Sequence, residues 1–186
     1  STVAIGAVPA DDRTDRHRTQ SVNLARDEHD IAMLADKALM LLKEEGSSVA
    51  FPEAVEQIRD DMQTITRRLE RVDVGEITQS IERDTIESLK EVIEAMQREI
   101  EKLKDKKQQS QSPGEQKQQQ QGLVKKIAEM KMLRSLQFRV NRRTKQLGRL
   151  VDGEQALDSD VLNQLKQLSD RQAKVQKATY GLAAGK

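Results

Sequence analysis

The side chains best suited to chemistry are six basic residues within sixteen positions of the second half of the chain. They are Arg134, Arg139, Arg142, Arg143, Lys145 and Arg149. Cationic side chains bind phosphates, so a nucleic-acid surface is one interpretation. The favoured interpretation is a surface that pairs with an acidic helix of the same chain or contacts another protein. The net charge is only +1, and no aromatic side chain for base stacking is expected beside the six residues.

Groups for catalysis or metal binding are poorly placed. The two histidines are His17 and His29, and no metal-ligating side chain lies three or four positions from His29. The carboxylate pair Asp60-Asp61 is expected on an exposed helix face, where it has no special reactivity. The chain has no cysteine, and its glycines do not form a phosphate-binding loop. The sequence therefore predicts no enzyme activity, no catalytic residue, no metal, no cofactor and no small-molecule substrate.

The six methionines allow two interpretations. They are Met33, Met40, Met62, Met96, Met130 and Met132. Methionine adapts to irregular partners, so these side chains could form a surface for client proteins. Most of them fall on or beside apolar helical seams, and this position favours a role in filling the core.

Composition predicts long helices. Charged residues make up 34% of the chain and hydrophobic residues 35%, but aromatic residues only 2%. Leu, Ile, Val, Met and Ala among many Glu, Lys, Arg and Gln residues are typical of coiled coils. The longest apolar run covers the five residues 38–42, far short of the roughly 20 that a membrane-spanning helix needs. An all-α protein without a membrane-spanning segment is expected.

Apolar spacing and turn residues predict five helices after a disordered tail at residues 1–20. Ser21 and Gly46 are expected to bound the first helix, whose apolar stripe is Leu24, Ile31, Leu34, Ala38, Leu41 and Leu42. The second helix opens at Phe51-Pro52 and carries the heptad seam Val55, Ile58, Met62, Ile65, Leu69 and Val72. After a break near Val74-Gly75, the third helix carries the seam Ile86, Leu89, Ile93, Met96, Ile100 and Leu103.

The remaining segments suggest a helical hairpin. Residues 108–121 are rich in Gln and contain Pro113-Gly114, so a flexible loop is predicted there. A fourth helix is expected from about Gly122 to Asp152-Gly153, and a fifth from about Asp158 to Tyr180-Gly181. We therefore predict an elongated antiparallel coiled-coil arm at residues 76–153 on a small three-helix base. The base comprises residues 21–75 and 154–183.

Charge supports pairing within this predicted arm. Residues 76–101 hold eight acidic and three basic side chains, whereas residues 122–151 hold nine basic and one acidic. The net charges are −5 and +8. Opposite charges beside apolar seams select partner and orientation in coiled coils.

Two blocks of sequence resemble a known but uncharacterised family. They are SSVAFPEAVEQIRDDM at residues 47–62 and KMLRSLQFRVNRRTKQLGRLVDG at residues 131–153. The chain resembles a bacterial all-helical family in which a Gln/Pro-rich loop of variable length separates two such blocks, over about residues 30–183. The resemblance implies a bacterial interaction protein of the periplasm or cell envelope, although the residues themselves also suit the cytoplasm. It implies no functional residue.

We expect a non-catalytic scaffold or adaptor that acts through coiled-coil surfaces in a bacterial assembly. Its partners would be other proteins or further copies of itself, and the near-neutral charge argues against nucleic acid. One alternative is a holdase chaperone that grips clients with a helical arm. A second is nucleic-acid binding through the basic helix at residues 123–150.

Overall fold

The chain folds into helices. The computed structural model describes residues 1–108, 115–151, 153 and 155–184, with no strand in those ranges. The predicted all-α class is confirmed. The six α-helices of the described ranges are α1 (Thr2–Gly6), α2 (Asp15–Glu45), α3 (Ala50–Glu70), α4 (Glu76–Gln108), α5 (Glu115–Gly148) and α6 (Ser159–Ala183). A short 3₁₀ helix at Ala10–Asp12 follows α1.

Several helix ends lie where the sequence carries capping or turn residues. Gly46 follows α2 with a φ of 67°, a conformation that glycine adopts without strain. The Ser48 hydroxyl accepts from the Phe51 N–H at 3.1 Å and caps the start of α3. The Asp158 carboxylate accepts two backbone N–H bonds of the first turn of α6, at 2.7 and 3.1 Å. The predicted ends at Gly46 and Asp158 are confirmed.

The predicted break near Val74-Gly75 is a tight turn between α3 and α4. Val72 has a positive φ of 57°, which is unusual for a β-branched residue. A salt bridge of 2.6 Å from Arg68 to Asp73 spans the turn. The Thr78 hydroxyl donates to the Asp73 carbonyl at 2.6 Å. These polar contacts stabilise the strained conformation.

The chain packs as two compact units. Unit 1 comprises Ser1–Glu45 and Val55–Glu94, and unit 2 comprises Gly46–Ala54 and Ala95–Lys186. A core cluster of unit 1 is Ile5, Ala25, Ile65, Leu69, Val74 and Ile81. Helices α2 and α3 run antiparallel in unit 1, because Ser21 donates to the Leu69 carbonyl at 2.7 Å while Lys43 contacts Glu56 at 2.9 Å.

The prediction of a disordered tail at residues 1–20 is wrong. The Ile5 side chain is buried in the core of unit 1, and the Arg13 guanidinium donates to the Val72 carbonyl at 3.0 Å. A Cβ placed on Gly6 would lie 2.7 Å from the Val74 carbonyl oxygen, so only glycine permits this approach. The segment packs through single side chains rather than through an apolar stripe. Its sequence therefore shows no helical periodicity from which the packing could be predicted.

The start of the first long helix also needs correction. Ser21 lies inside α2, which begins at Asp15, and its side chain is fully buried against α3. Its hydroxyl bonds the Leu69 carbonyl rather than capping its own helix. A serine followed by an apolar pattern is typical of a helix N-terminus, but the same small side chain also suits a close contact between helices.

Unit 2 contains a pair of packed helices, α5 and α6. They share a core cluster of Val140, Leu147, Val161 and Leu168. The amides of Gln137 and Gln172 bond each other reciprocally, at 2.7 and 2.9 Å. The predicted architecture placed α5 in the coiled-coil arm and α6 in the base, so this contact was not predicted.

The one acidic residue of the basic segment has a structural role in unit 2. The Glu129 carboxylate is buried and accepts from the Val49 and Ala50 N–H groups, at 3.0 and 2.7 Å. Ala50 begins α3, so Glu129 caps that helix from α5, where a negative charge also complements the helix dipole.

The predicted Gln-rich loop at residues 108–121 is shorter than expected. Gln108 ends α4, and α5 begins at Glu115 rather than near Gly122. Glutamine is a reasonable helix former, so residues 115–121 extend the helix even without apolar anchors. The rest of that loop lies outside the described residues. Residues 76–94 pack in unit 1, and the predicted pairing along the whole arm stays a prediction.

Candidate interaction surfaces

The six basic residues singled out in the sequence do not form one surface; five lie on α5 and Arg149 directly follows it. Arg139 and Arg143 are buried and Arg142 is half-buried. The exposed members are Arg134, Lys145 and Arg149. Residues 139 and 143 are one turn apart and share the inward face of α5 with other buried side chains, including Leu136. The set is therefore divided between the interior of unit 2 and solvent.

An exposed aromatic side chain lies beside Arg134, one of the exposed basic residues. The Arg134 guanidinium carbon lies 5.1 Å from the centre of the Phe138 ring, and Phe138 is 56% exposed. The expectation that no aromatic side chain lies beside the basic residues is wrong, because positions four apart share a helix face. The result is a mixed cationic and aromatic surface on α5.

An open groove of about 450 Å³ lies between α5 and α6. Its apolar lining residues are Val140, Leu165 and Leu168, and Lys145 is a charged residue of the lining. This composition suits an apolar side chain of a bound protein better than a polar substrate.

The histidines lie apart from each other. Thr14 donates its N–H to Nδ1 of His17 at 3.1 Å, which places His17 at the start of α2, while His29 is exposed further along the helix. Among the described residues, no three His, Cys, Asp or Glu side chains cluster so that they could hold a metal ion.

The interpretation of Asp60-Asp61 as an exposed pair is half correct. Asp60 is partly exposed and bonds the neighbouring Arg59 at 2.8 Å, whereas Asp61 is buried at 5% exposure. Helix α3 is surrounded on most sides, so even polar positions between its apolar residues become buried.

Two carboxyl groups that the sequence did not single out interact in unit 1. The Thr2 hydroxyl of α1 donates to Glu82 of α4 at 2.6 Å. Burial, together with the negative charge of Glu82, raises the pKa of Glu28 on α2 to about 7. Burial also raises the pKa of Glu82, although the Thr2 hydrogen bond opposes that change. Glu28 and Glu82 are 54 positions apart, so no local sequence pattern predicts that they interact.

Several large apolar side chains of α2 face solvent. Helix α2 buries Ser21, Ala25, Ala32 and Leu39 instead. Within the predicted stripe, Ile31 is 45% exposed, Leu34 61% and Leu41 65%. Ala38 is also exposed, and only Leu24 and Leu42 are half-buried. Residues 31, 34, 38 and 41 follow coiled-coil spacing, and we call their side chains the α2 seam.

The six methionines are divided between buried and exposed positions. Met62 and Met132 are buried and Met96 is half-buried, as core filling requires. The exposed members are Met33, Met40 and Met130, at 48%, 60% and 57% exposure. Met33 and Met40 lie on the side of α2 away from the α2 seam.

Comparisons of the chain with protein-family models, curated proteins and solved structures found no match. None of the helices, over the residues described, combines the length and apolarity that crossing a bilayer requires.

Proposed function

We propose that this chain is a non-catalytic helical scaffold that binds other protein chains by helix-to-helix packing. The observation that carries the proposal is the α2 seam, where large apolar side chains stand at heptad spacing with about half or more of their surface in solvent. Single exposed apolar residues are ordinary on a protein surface, but an aligned row is typical of a contact site.

The chemistry of the remaining surface supports the same function. The α5 surface with Arg134 and Phe138, and the groove beside α6, present apolar and cationic groups together. Arginine and aromatic side chains are enriched at the centres of protein interfaces. A bacterial envelope assembly fits the resemblance described above and belongs to this proposal.

The test is quantitative capture from the cells that naturally make the chain. Three tagged forms are compared: wild type, Leu34→Glu with Leu41→Glu, and Met40→Glu. Charges placed in the α2 seam should remove stoichiometric partners, while Met40→Glu should keep them, because Met40 is equally exposed on the other side of the same helix. Equal capture by all three forms would contradict the proposal.

A holdase chaperone is the second candidate, and the exposed Met33 and Met40 side chains favour it. A holdase would capture a broad range of unfolded proteins and prevent their aggregation at equimolar ratio. In that case Met40→Glu should impair activity at least as much as the Leu34 and Leu41 changes, which is the reverse of the scaffold result.

A further inference from the structure

The two edges of the α2 seam differ in character. On one edge the neighbouring residues Ala35 and Leu42 are half-buried and continue into the packing of unit 1. On the other edge Asp30, Lys37 and Glu44 stand in solvent at seven-residue intervals. The signs of these charges alternate along the helix. In a coiled coil, residues at such flanking positions face those of the partner helix and select register and orientation.

We propose that the α2 seam is covered by the same seam of a second copy of this chain, with the two α2 helices antiparallel. Residue i of one copy lies opposite residue 65 − i of the other. Ile31 then packs on Leu34 of the second copy, and Leu41 lies opposite Leu24, whose side chain is half-buried against the core of unit 1. This inference rests on the proposed function, because it names one partner of the α2 seam.

The charges select this register over its neighbours. Asp30 of each copy comes beside Lys37 of the other, so the two-fold symmetry creates two attractive pairs. Asp27, the charged residue within the repeat, lies opposite Ala38, the smallest residue of the seam. The flanking charges therefore select this arrangement, and the small Ala38 side chain leaves room for Asp27 in the contact.

Other arrangements of the same two helices bring like charges together. A slip of one heptad in one direction places Lys37 beside Lys37 and Asp30 beside Glu44. A slip in the other direction places Asp30 beside Asp30 and sets Asp27 against Ile31. A parallel pair in register places Asp27 against Asp27 inside the contact. Like charges at the exposed flanking positions disfavour both slips, and Asp27 against Asp27 inside the contact disfavours the parallel pair. The antiparallel register with opposite residues summing to 65 is therefore preferred.

The first experiment measures the mass of the purified full chain in solution by sedimentation or light scattering over a range of concentrations. Wild type and Met40→Glu should form dimers as concentration rises, and Leu34→Glu with Leu41→Glu should stay monomeric with unchanged circular dichroism. A monomeric wild type at all concentrations would overturn the inference. If partner capture from cells still depended on the α2 seam, the proposed function would stand without the inferred dimer.

The second experiment tests the register by exchanging charges. Lys37→Asp alone should weaken the dimer about tenfold, because two attractive pairs become repulsive. Asp30→Lys combined with Lys37→Asp should restore wild-type dimerisation, since the pairs are rebuilt with reversed signs. A double variant as weak as Lys37→Asp would contradict the predicted register.

The third experiment tests orientation by disulfide crosslinking, which is simple because the chain has no cysteine. Asp27→Cys and Ala38→Cys are prepared as separate chains. In the antiparallel arrangement the two positions face each other, so mixing the chains should give a crosslinked dimer within the Cα separation that disulfides need. Either chain alone should not crosslink, because copies of one position lie about 16 Å apart along the helices. Crosslinking of each chain alone would indicate a parallel pair and overturn the inference.

Discussion

Helices α2 and α3 pack against each other in unit 1 but use their apolar residues in opposite ways. Helix α3 buries the core of its predicted heptad seam, at Ile58, Met62, Ile65 and Leu69. Helix α2 exposes Ile31, Leu34 and Leu41, although their spacing is equally regular, and it buries three small residues and one leucine, Leu39. A heptad pattern therefore shows which residues share a face of a helix. It does not show whether that face packs against another helix of the same chain.

Side-chain size explains why the apolar seam of α2 is exposed while that of α3 is buried. Ser21, Ala25 and Ala32 let the backbone of α2 approach its neighbours closely, so the contact between helices uses the side with little side-chain volume. The Ser21 hydroxyl reaches a carbonyl of α3 directly, at 2.7 Å. Leu39 is also buried, but Ile31, Leu34 and Leu41 are left on the outer side of α2, where they can serve an intermolecular contact.

The largest expected effect contrasts two leucines. Leu69→Ala on α3 should lower the free energy of unfolding by about 2–5 kcal/mol. The Leu69 side chain is only 2% exposed, so its truncation leaves a cavity in the core. Leu34→Ala on α2 should change the stability of the monomer by less than about 0.5 kcal/mol. Urea unfolding at low protein concentration measures both. Similar losses would show that the α2 seam belongs to the monomer core.

Overpacking should distinguish the two sides of α2. Ala32→Leu should destabilise the folded chain by about 1–3 kcal/mol, because Ala32 is 2% exposed and has no room for a larger side chain. Ala38→Leu, on the α2 seam, should leave stability nearly unchanged, since both residues are good helix formers. Thermal unfolding of the two variants makes the comparison, and a tolerated Ala32→Leu would contradict the close contact.

A pH effect should come from the half-buried edge of α2. The pKa of Glu28 is raised from 4.5 to about 7, so the folded chain keeps a proton that the unfolded chain has already released between these values. Stability from this group is full below about pH 4.5 and falls as pH rises toward 7. Glu28→Gln should therefore stabilise the chain at pH 8, by about 1–2 kcal/mol after allowance for solvent screening.

The control for this effect is Glu44→Gln, which removes an exposed carboxylate from the same helix. Urea unfolding of both variants and wild type at pH 4.5 and pH 8 provides the measurement. A Glu28→Gln advantage that is equal at the two pH values would argue against burial of the carboxyl group as its cause.

The smallest expected effect concerns the ion pair between α2 and α3. Lys43 contacts Glu56 at 2.9 Å, but the lysine side chain is 56% exposed. Lys43→Ala should lower stability by no more than about 0.5 kcal/mol, since water and salt screen such pairs. Denaturant unfolding at low and high salt tests this expectation, and a loss above about 1 kcal/mol would mean that the pair holds the two helices together.

Local chemistry was enough to predict much of the secondary structure. The seam of α3, the ends at Gly46 and Asp158 and the break near Gly75 follow from spacing, caps and turn residues close together in the chain. The missed features depend on distant residues. Ile5 belongs to no sustained apolar stripe, and the roles of Glu129 and Glu28 arise only when helices far apart in sequence meet.

The sequence by itself therefore determined that this protein is all-helical and which residues share each helix face, because both depend on interactions within a few residues. The tertiary structure alone decided which faces are buried. It placed Arg139 and Arg143 inside unit 2 while leaving Arg134 outside. On α2 it turned Ser21, Ala25, Ala32 and Leu39 inward and Leu34 and Leu41 outward. The physical reason is that burial depends on the shape and volume of the facing helix, which periodicity within one segment does not encode.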